Sequence, residues 1–217
     1  MAEDYLTDDE QLEHVKRVVA DNWVWVGGGI VLGAALIFGY RYHDSHQNDR
    51  ALRAAAQFDD MATALEQDAK PRARQLADGL VKTFPGSPYA DQALLVLARL
   101  AVDDAKPGDA VGPLTLVMDQ SKDEELRHIA RLRLARVLID AGKPDDAIKL
   151  LAAVGPGAFS GLAHEVRGDA YYARKDAPDA LSEYRAALEG GADAAVLQLK
   201  IADLGTVPPT PSNKAKP

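Results

Sequence analysis

Cysteine is absent from the 217 residues of the chain, and aromatic residues make up only 6% of it. Without cysteine there is no disulfide framework, no thiolate zinc site and no cysteine nucleophile. This absence leaves the compartment open, because cysteine-free chains suit oxidising and reducing spaces alike. Hydrophobic residues reach 47%, with alanine prominent among them. Alanine is the best helix former and has little preference for strands, so the composition predicts an all-α fold of closely packed helices.

Positive charge is also in short supply. Lysine and arginine number 25 against 33 aspartates and glutamates, and the formal net charge is −8. No basic stripe stands out, so the electrostatic footprint of a nucleic-acid-binding protein is lacking. The first 22 residues contain seven acids against Lys16 and Arg17. We interpret residues 1–22 as an acidic tail.

Motifs of catalysis and cofactor binding are missing too. The sequence has no P-loop, no dinucleotide fingerprint, no H-E-x-x-H and no G-x-S-x-G. His43 and His46 lie one helical turn apart, which suits solvated histidines better than a metal pair. His128 and His164 have no ligand partners at motif spacing. We therefore predict a protein that is not an enzyme, with no catalytic, cofactor-binding or metal residue.

One uncharged run extends from Trp23 to Tyr40. At ~1.5 Å per residue it would span about 27 Å, close to the ~30 Å hydrocarbon core of a bilayer. Trp23 and Trp25 at one end, and Tyr40 and Tyr42 at the other, are the amphipathic rings that favour the headgroup level. We predict a transmembrane helix over residues 23–42, acting as an uncleaved signal anchor. The alternatives are a buried helix of a soluble protein and a cleaved signal peptide.

Two glycines of this run are spaced for helix association. Gly29 and Gly33 fit a small-xxx-small pattern, which would let a second helix approach closely. The alternative is that glycine is simply common in membrane helices. The orientation of the span stays open on charge alone, because positive residues on its two sides nearly balance.

The rest of the chain contains internal repeats. Segments 98–117, 135–154 and 168–187 align without gaps. In each, a small residue is followed twelve positions later by an alanine that an acid precedes, with a proline in the turn between them. A fourth, partial match begins earlier in the chain. The four anchor alanines are 37, 37 and 33 residues apart: Ala73, Ala110, Ala147 and Ala180.

This pattern is that of stacked helical hairpins. Small residues allow close helix contact, proline is tolerated in the first helical turn, and acids favour the positive N-terminal end of a helix. One hairpin cannot bury its apolar face alone, so neighbours stack. We predict a helical-hairpin array over residues 43–204. The Pro-rich, polar residues 205–217 are predicted to be a disordered tail.

The last repeat resembles the tetratricopeptide pattern. Gly168, Tyr171, Ala180, Tyr184 and Ala187 match its five central positions. The other repeats depart from it by carrying leucine at the second aromatic position and valine at the last alanine. The resemblance implies a protein-interaction domain, and the departures leave the repeat boundaries open.

The whole chain is also similar to a narrower family, the ancillary, membrane-anchored subunit of the bacterial SecYEG translocon. The similarity runs from about Glu13 to Leu188, and it depends on the order of five short segments. These are Val15-Lys16-Arg17, Arg41-Tyr42, Phe84-Pro85-Gly86-Ser87-Pro88-Tyr89-Ala90, Arg131-Leu132-Arg133-Leu134-Ala135-Arg136 and Arg167-Gly168-Asp169.

This resemblance implies a single-pass protein of the bacterial inner membrane, with a cytoplasmic N-terminus and a periplasmic repeat domain. It also implies association with the SecYEG translocon, chaperone-like contact with emerging secreted proteins, and partnership with a membrane-anchored periplasmic isomerase-type chaperone. The alternative function is a scaffold or adaptor in cell division or outer-membrane assembly.

A candidate partner surface follows from the repeat register. In stacked hairpins the first helix of each pair lines the concave face. Positions three before, one after and four after the small anchor residue share one helical stripe. The candidate partner-binding residues on it are Arg99, Arg136, Glu165, Asp169 and Tyr172. Aliphatic residues on the same stripe are Leu95, Leu132, Val102 and Ile139.

Such a mixed stripe suits permissive binding of unfolded segments or of a partner chaperone. It lacks the Lys/Asn set of a clamp for C-terminal carboxylates. The alternative is that Leu95, Leu132 and Ile139 are ordinary hairpin core, and that no groove is used.

Overall fold

The computed structural model describes Lys16, Ala20 and residues 23–205. The predicted acidic tail, apart from Lys16 and Ala20, and the predicted disordered tail beyond Gly205 lie outside the described residues. Within the described residues the chain is helical and contains no strand, which confirms the all-helical prediction. The helices are α1 Trp23–Glu66, α2 Lys70–Thr83, α3 Pro88–Asp103, α4 Pro107–Gln120, α5 Glu124–Asp140, α6 Pro144–Leu151, α7 Ser160–Ala173, α8 Ala177–Glu189 and α9 Ala194–Leu204.

The chain divides into two units, Met1–Leu52 and Arg53–Pro217. In the first unit, large apolar side chains of α1 are exposed, among them Trp25 and Phe38. Over the described residues, none of the helices combines the length and the apolar character that crossing a bilayer requires.

The second unit is an array of helical hairpins, as predicted. Helices α3–α4, α5–α6 and α7–α8 form successive pairs, and the second helix of each carries proline in its first turn. Buried clusters join each pair to the next: one spans α3, α4 and α5, and another spans α5, α6 and α7. Stacking of neighbours therefore buries the core, as the repeat pattern requires.

The four anchor alanines confirm the repeat register, since all of them are fully buried. The turn before each contains one residue in the left-handed region. These residues are Asp68, Ala105, Gly142 and Lys175, with φ of 53°, 57°, 73° and 62°. They recur at the same intervals of 37, 37 and 33 residues as the alanines.

Backbone hydrogen bonds show that each of these turns closes a helix in the same way. The amide of the residue after the left-handed one donates to a carbonyl five residues back. Lys106 N donates to Ala101 O at 2.9 Å, and Lys143 N donates to Leu138 O at 2.8 Å. The turn at Lys175 repeats the bond, from Asp176 N to Tyr171 O at 2.9 Å. The repeats are therefore regular in backbone geometry where their side chains diverge.

Candidate functional site

Helices α3 and α5, the first helices of consecutive pairs, border a groove of about 300 Å³. Its apolar lining comes from Ala98 and Val102 of α3, Leu114 of α4 and Val137 of α5. Val102 is 46% exposed, whereas Leu114 belongs to the buried core. The groove therefore offers solvent an apolar floor that is continuous with the core beneath it.

Three arginines line this groove, and we call it the arginine groove after them. They are Arg99 of α3 with Arg133 and Arg136 of α5. Partial burial, followed by the charges of Arg136 and Arg99, lowers the pKa of the Arg133 guanidinium below its ordinary value. Asp103 and Asp140 also line the groove. Arg99 Nε lies 3.8 Å from Asp103 Oδ2, a weak exposed pair.

A second groove of about 360 Å³ adjoins the first and shares Arg136 and Asp140 with it. Its other lining residues are Ile139 of α5 and Asp169, Tyr172 and Ala173 of α7. Of the candidate partner-binding residues, four therefore border two adjoining grooves. Those four are Arg99, Arg136, Asp169 and Tyr172.

The aliphatic part of the predicted stripe divides between core and groove. Leu95 and Leu132 are 8% and 4% exposed and belong to the buried clusters. Ile139 is half-buried and borders the second groove. The stripe thus contributes ordinary hairpin core at two positions and a groove wall at others.

Lys200 of α9 occupies the acidic end of the stripe. Its Nζ donates to Glu165 Oε1 at 2.8 Å and to Asp169 Oδ1 and Oδ2 at 2.8 and 2.9 Å. The Tyr184 hydroxyl donates to Asp169 Oδ1 at 2.9 Å. Burial, followed by the charge of Asp169, raises the pKa of Tyr184 well above its ordinary range. Glu165 and Asp169 are therefore engaged inside the array.

Tyr172 makes a parallel contact with the same helix. Its hydroxyl donates to Asp203 Oδ2 at 2.7 Å, which raises the pKa of Tyr172 above its ordinary value. Sequence reasoning missed these contacts because Lys200 and Asp203 lie outside the aligned repeats. They are 35 and 31 residues from Glu165 and Tyr172, with no motif to link them.

The histidines show no arrangement for chemistry. His164 Nδ1 lies 2.7 Å from Glu183 Oε2, which Arg167 Nε also approaches at 3.3 Å. The ring of His128 stacks on Phe159 with centroids 5.0 Å apart. In the part of the chain that the structure describes, no three histidine or carboxylate side chains are grouped to hold a metal ion.

The predicted glycine pair lies in the first unit. A Cβ built at Gly29 or Gly33 would meet no atom within 4 Å. Both positions are therefore open to a neighbour in steric terms, and their predicted role in helix association stays a prediction.

Comparison with known proteins agrees with this architecture. The family model described as a tetratricopeptide repeat-like domain matches residues 16–206. Among solved structures, a MamA RS-1 ArsTM double mutant superimposes with a TM-score of 0.58 at 13% identity, covering 70% of this chain and 83% of that one. At that identity the likeness concerns the fold alone.

Curated relatives cover nearly the whole chain. The ancillary SecYEG translocon subunit of Escherichia coli (strain K12) is 30% identical, over 92% of this chain and 98% of the relative. The subunit of the same name from Aggregatibacter actinomycetemcomitans is 27% identical, over 92% and 98%. The chain therefore belongs to the ancillary SecYEG translocon subunit family and carries its tetratricopeptide repeat-like domain.

Proposed function

We propose that this chain is a non-enzymatic, membrane-anchored subunit that associates with the SecYEG translocon and binds other proteins through its helical repeats. The observation that carries the proposal is the similarity to the Escherichia coli subunit over 98% of that protein's length. Since the similarity extends over both the N-terminal segment and the repeat array, it supports a shared role for the whole chain.

The binding partners belong to two classes. One is a membrane-anchored periplasmic isomerase-type chaperone, and the other is the emerging secreted protein itself. Support comes from the paired grooves of about 300 and 360 Å³, which are open and mix apolar with charged side chains. Pockets of this kind suit weak, permissive contact with extended segments, because they offer apolar burial without a single rigid anchor.

The N-terminal segment provides the anchor in this proposal. Residues 23–42 form the span, 1–22 lie in the cytoplasm, and 43–217 lie in the periplasm as the repeat domain and its tail. The uncharged stretch from Trp23 to Tyr40, with tryptophan and tyrosine at its ends, supports the span. The translocon association of the relatives supports its placement in the inner membrane.

Affinity purification of the tagged full chain from its native membranes in mild detergent tests the proposal. We expect the translocon subunits to be recovered with the protein at wild-type expression. A chain with the same tag but with residues 53–205 deleted controls for recovery through the N-terminal segment alone. Recovery of division or outer-membrane assembly proteins in place of translocon subunits would favour the scaffold function and contradict the proposal.

A further inference from the structure

The arginine groove is a positive spot on an acidic protein. The chain has a formal net charge of −8, yet three arginines from two consecutive hairpins border one groove of about 300 Å³. Two aspartates, Asp103 and Asp140, accompany them, so the lining is positive on balance. A cation cluster over an apolar floor can attract a carboxylate and bury an aliphatic side chain at the same place.

The arginines keep their hydrogen-bonding capacity available. Among the described residues, neither Arg133 nor Arg136 makes an ion pair. Arg99 is 74% exposed in its side chain and lies no closer than 3.8 Å to Asp103. Guanidinium groups carry five donors each in a planar fork that matches carboxylates. The groove therefore presents donors that the protein itself leaves largely unused.

The acidic end of the predicted stripe differs in this respect. Glu165 and Asp169 both accept from Lys200, so their charges are compensated within the array. A basic segment would have to displace Lys200 to bind there. Charge complementarity is thus left to the arginines, and it favours an acidic partner segment.

Resting on the proposed function, we propose that the arginine groove selects protein segments in which aspartate or glutamate side chains alternate with aliphatic ones. Three guanidinium groups on two helices are matched by several side-chain carboxylates along a segment, whereas one C-terminal carboxylate would leave arginines unmatched. The aliphatic side chains of the segment fill the space above Val102 and Val137, and the acids pair with Arg99, Arg133 and Arg136.

The test uses the purified full chain in mild detergent and a fluorescent peptide, Gly-Glu-Leu-Glu-Leu-Glu-Leu-Gly, with an amidated C-terminus. Its counterparts replace every Glu by Gln, with and without a free C-terminal carboxylate. Fluorescence anisotropy gives the affinities at low and high salt. The variant is Arg133→Gln with Arg136→Gln. The matched control is Arg72→Gln with Arg185→Gln, which removes the same charge from exposed positions outside the groove.

We expect the acidic peptide to bind at least tenfold more tightly than either Gln peptide, with an affinity that falls as salt rises. The groove variant should lose roughly tenfold in affinity for it, as expected when charge-assisted hydrogen bonds of about 1.5–3 kcal/mol are removed. The control variant should bind as the wild type does. Circular dichroism confirms that both variants keep their helices.

Several outcomes would overturn the inference. Equal binding of acidic and amidated Gln peptides would show that charge is not selected. Tight binding of the Gln peptide with a free carboxylate would identify a C-terminal clamp. An equal loss in the control variant would assign the effect to net charge. None of these outcomes depends on recovery of the translocon from membranes, so the proposed function can fail or stand separately.

Discussion

At the scale of single residues, the repeat geometry depends on four left-handed turn positions that the sequence fills unevenly. Only Gly142 is a glycine; Ala105 and Lys175 adopt the same conformation with a side chain, at φ of 57° and 62°. A left-handed residue with a Cβ costs roughly 1–2 kcal/mol, because Cβ approaches the following carbonyl. These turns therefore contain strain that the closing hydrogen bonds and the packing of the hairpins offset.

Exchanging the residues at two of these turns should move stability in opposite directions. Ala105→Gly should stabilise the repeat domain and Gly142→Ala should destabilise it, each by about 1 kcal/mol. A Cβ at Gly142 would meet no atom within 4 Å, so backbone strain alone should act there. Thermal melting of the full chain in detergent measures both. Shifts of the same sign in the two variants would contradict the explanation.

Lys200 is the residue on which the last helix depends for its polar contacts. It lies between Glu165 and Asp169, whose side chains are 12% and 28% exposed. Replacing it by methionine keeps the length of the side chain but leaves two carboxylates close together without their cation. We expect Lys200→Met to lower the free energy of unfolding by about 1–3 kcal/mol, because partly buried charges lose their partner.

A double-variant comparison separates the ion pairs from mere packing of the lysine stem. In a Glu165→Gln, Asp169→Asn background the lysine has no carboxylate to neutralise, so Lys200→Met should cost clearly less there. Denaturant unfolding followed by circular dichroism measures each step. If the cost of the lysine change is the same in both backgrounds, the carboxylates do not explain it.

At the scale of helices, local chemistry determines how much the sequence predicts. Proline in the first turn of the second helix, small anchor residues and buried alanines are short-range signals, and they located α3 to α8 correctly. Helix α9 was included in the predicted array, but its contacts were not predicted. Lys200 reaches Asp169 from 31 residues away, and nothing near either residue specifies the pairing.

The candidate site was predictable to the same extent. Because the helical stripe follows from repeat register, it brought Arg99 and Arg136 to one groove. It omitted Arg133, which lies three positions before Arg136 on the same helix and lines that groove as well. Register alone could not separate the free arginines from Glu165, since the ion pair of Glu165 depends on where α9 packs.

Helix α1 provides a test of association through small residues. Gly29 and Gly33 leave space for a second helix, and leucine at both positions would fill that space. We expect Gly29→Leu with Gly33→Leu to reduce recovery of membrane partners severalfold while membrane insertion is retained. Carbonate extraction measures insertion, and purification in mild detergent measures recovery.

Gly28→Leu is the matched control, because this glycine neighbours the pair and is equally free of contacts. The pair has a specific role only if the control variant recovers partners as the wild type does. Unchanged recovery in the double variant would mean that the two glycines face lipid or solvent without a partner.

At the scale of the whole molecule, the charge distribution is compatible with either orientation of the proposed span. Lys16 and Arg17 precede it, and Arg41, Arg50 and Arg53 follow it. A large downstream domain crosses the membrane largely regardless of such a balance. The orientation therefore has to come from function: a subunit that meets emerging secreted proteins must place its grooves on the side where those proteins emerge.

Protease accessibility tests this orientation directly. In spheroplasts, where the outer membrane is open and the inner membrane intact, added protease should digest the repeat domain over residues 53–205, because the proposal places it in the periplasm. A tag before Met1 should survive until the inner membrane is lysed, since the tail would be cytoplasmic. A cytoplasmic marker that stays intact shows that the inner membrane is sealed. A protected repeat domain with a digested tag would reverse the orientation, and the grooves would then face the cytoplasm, where they could not meet a secreted protein after translocation.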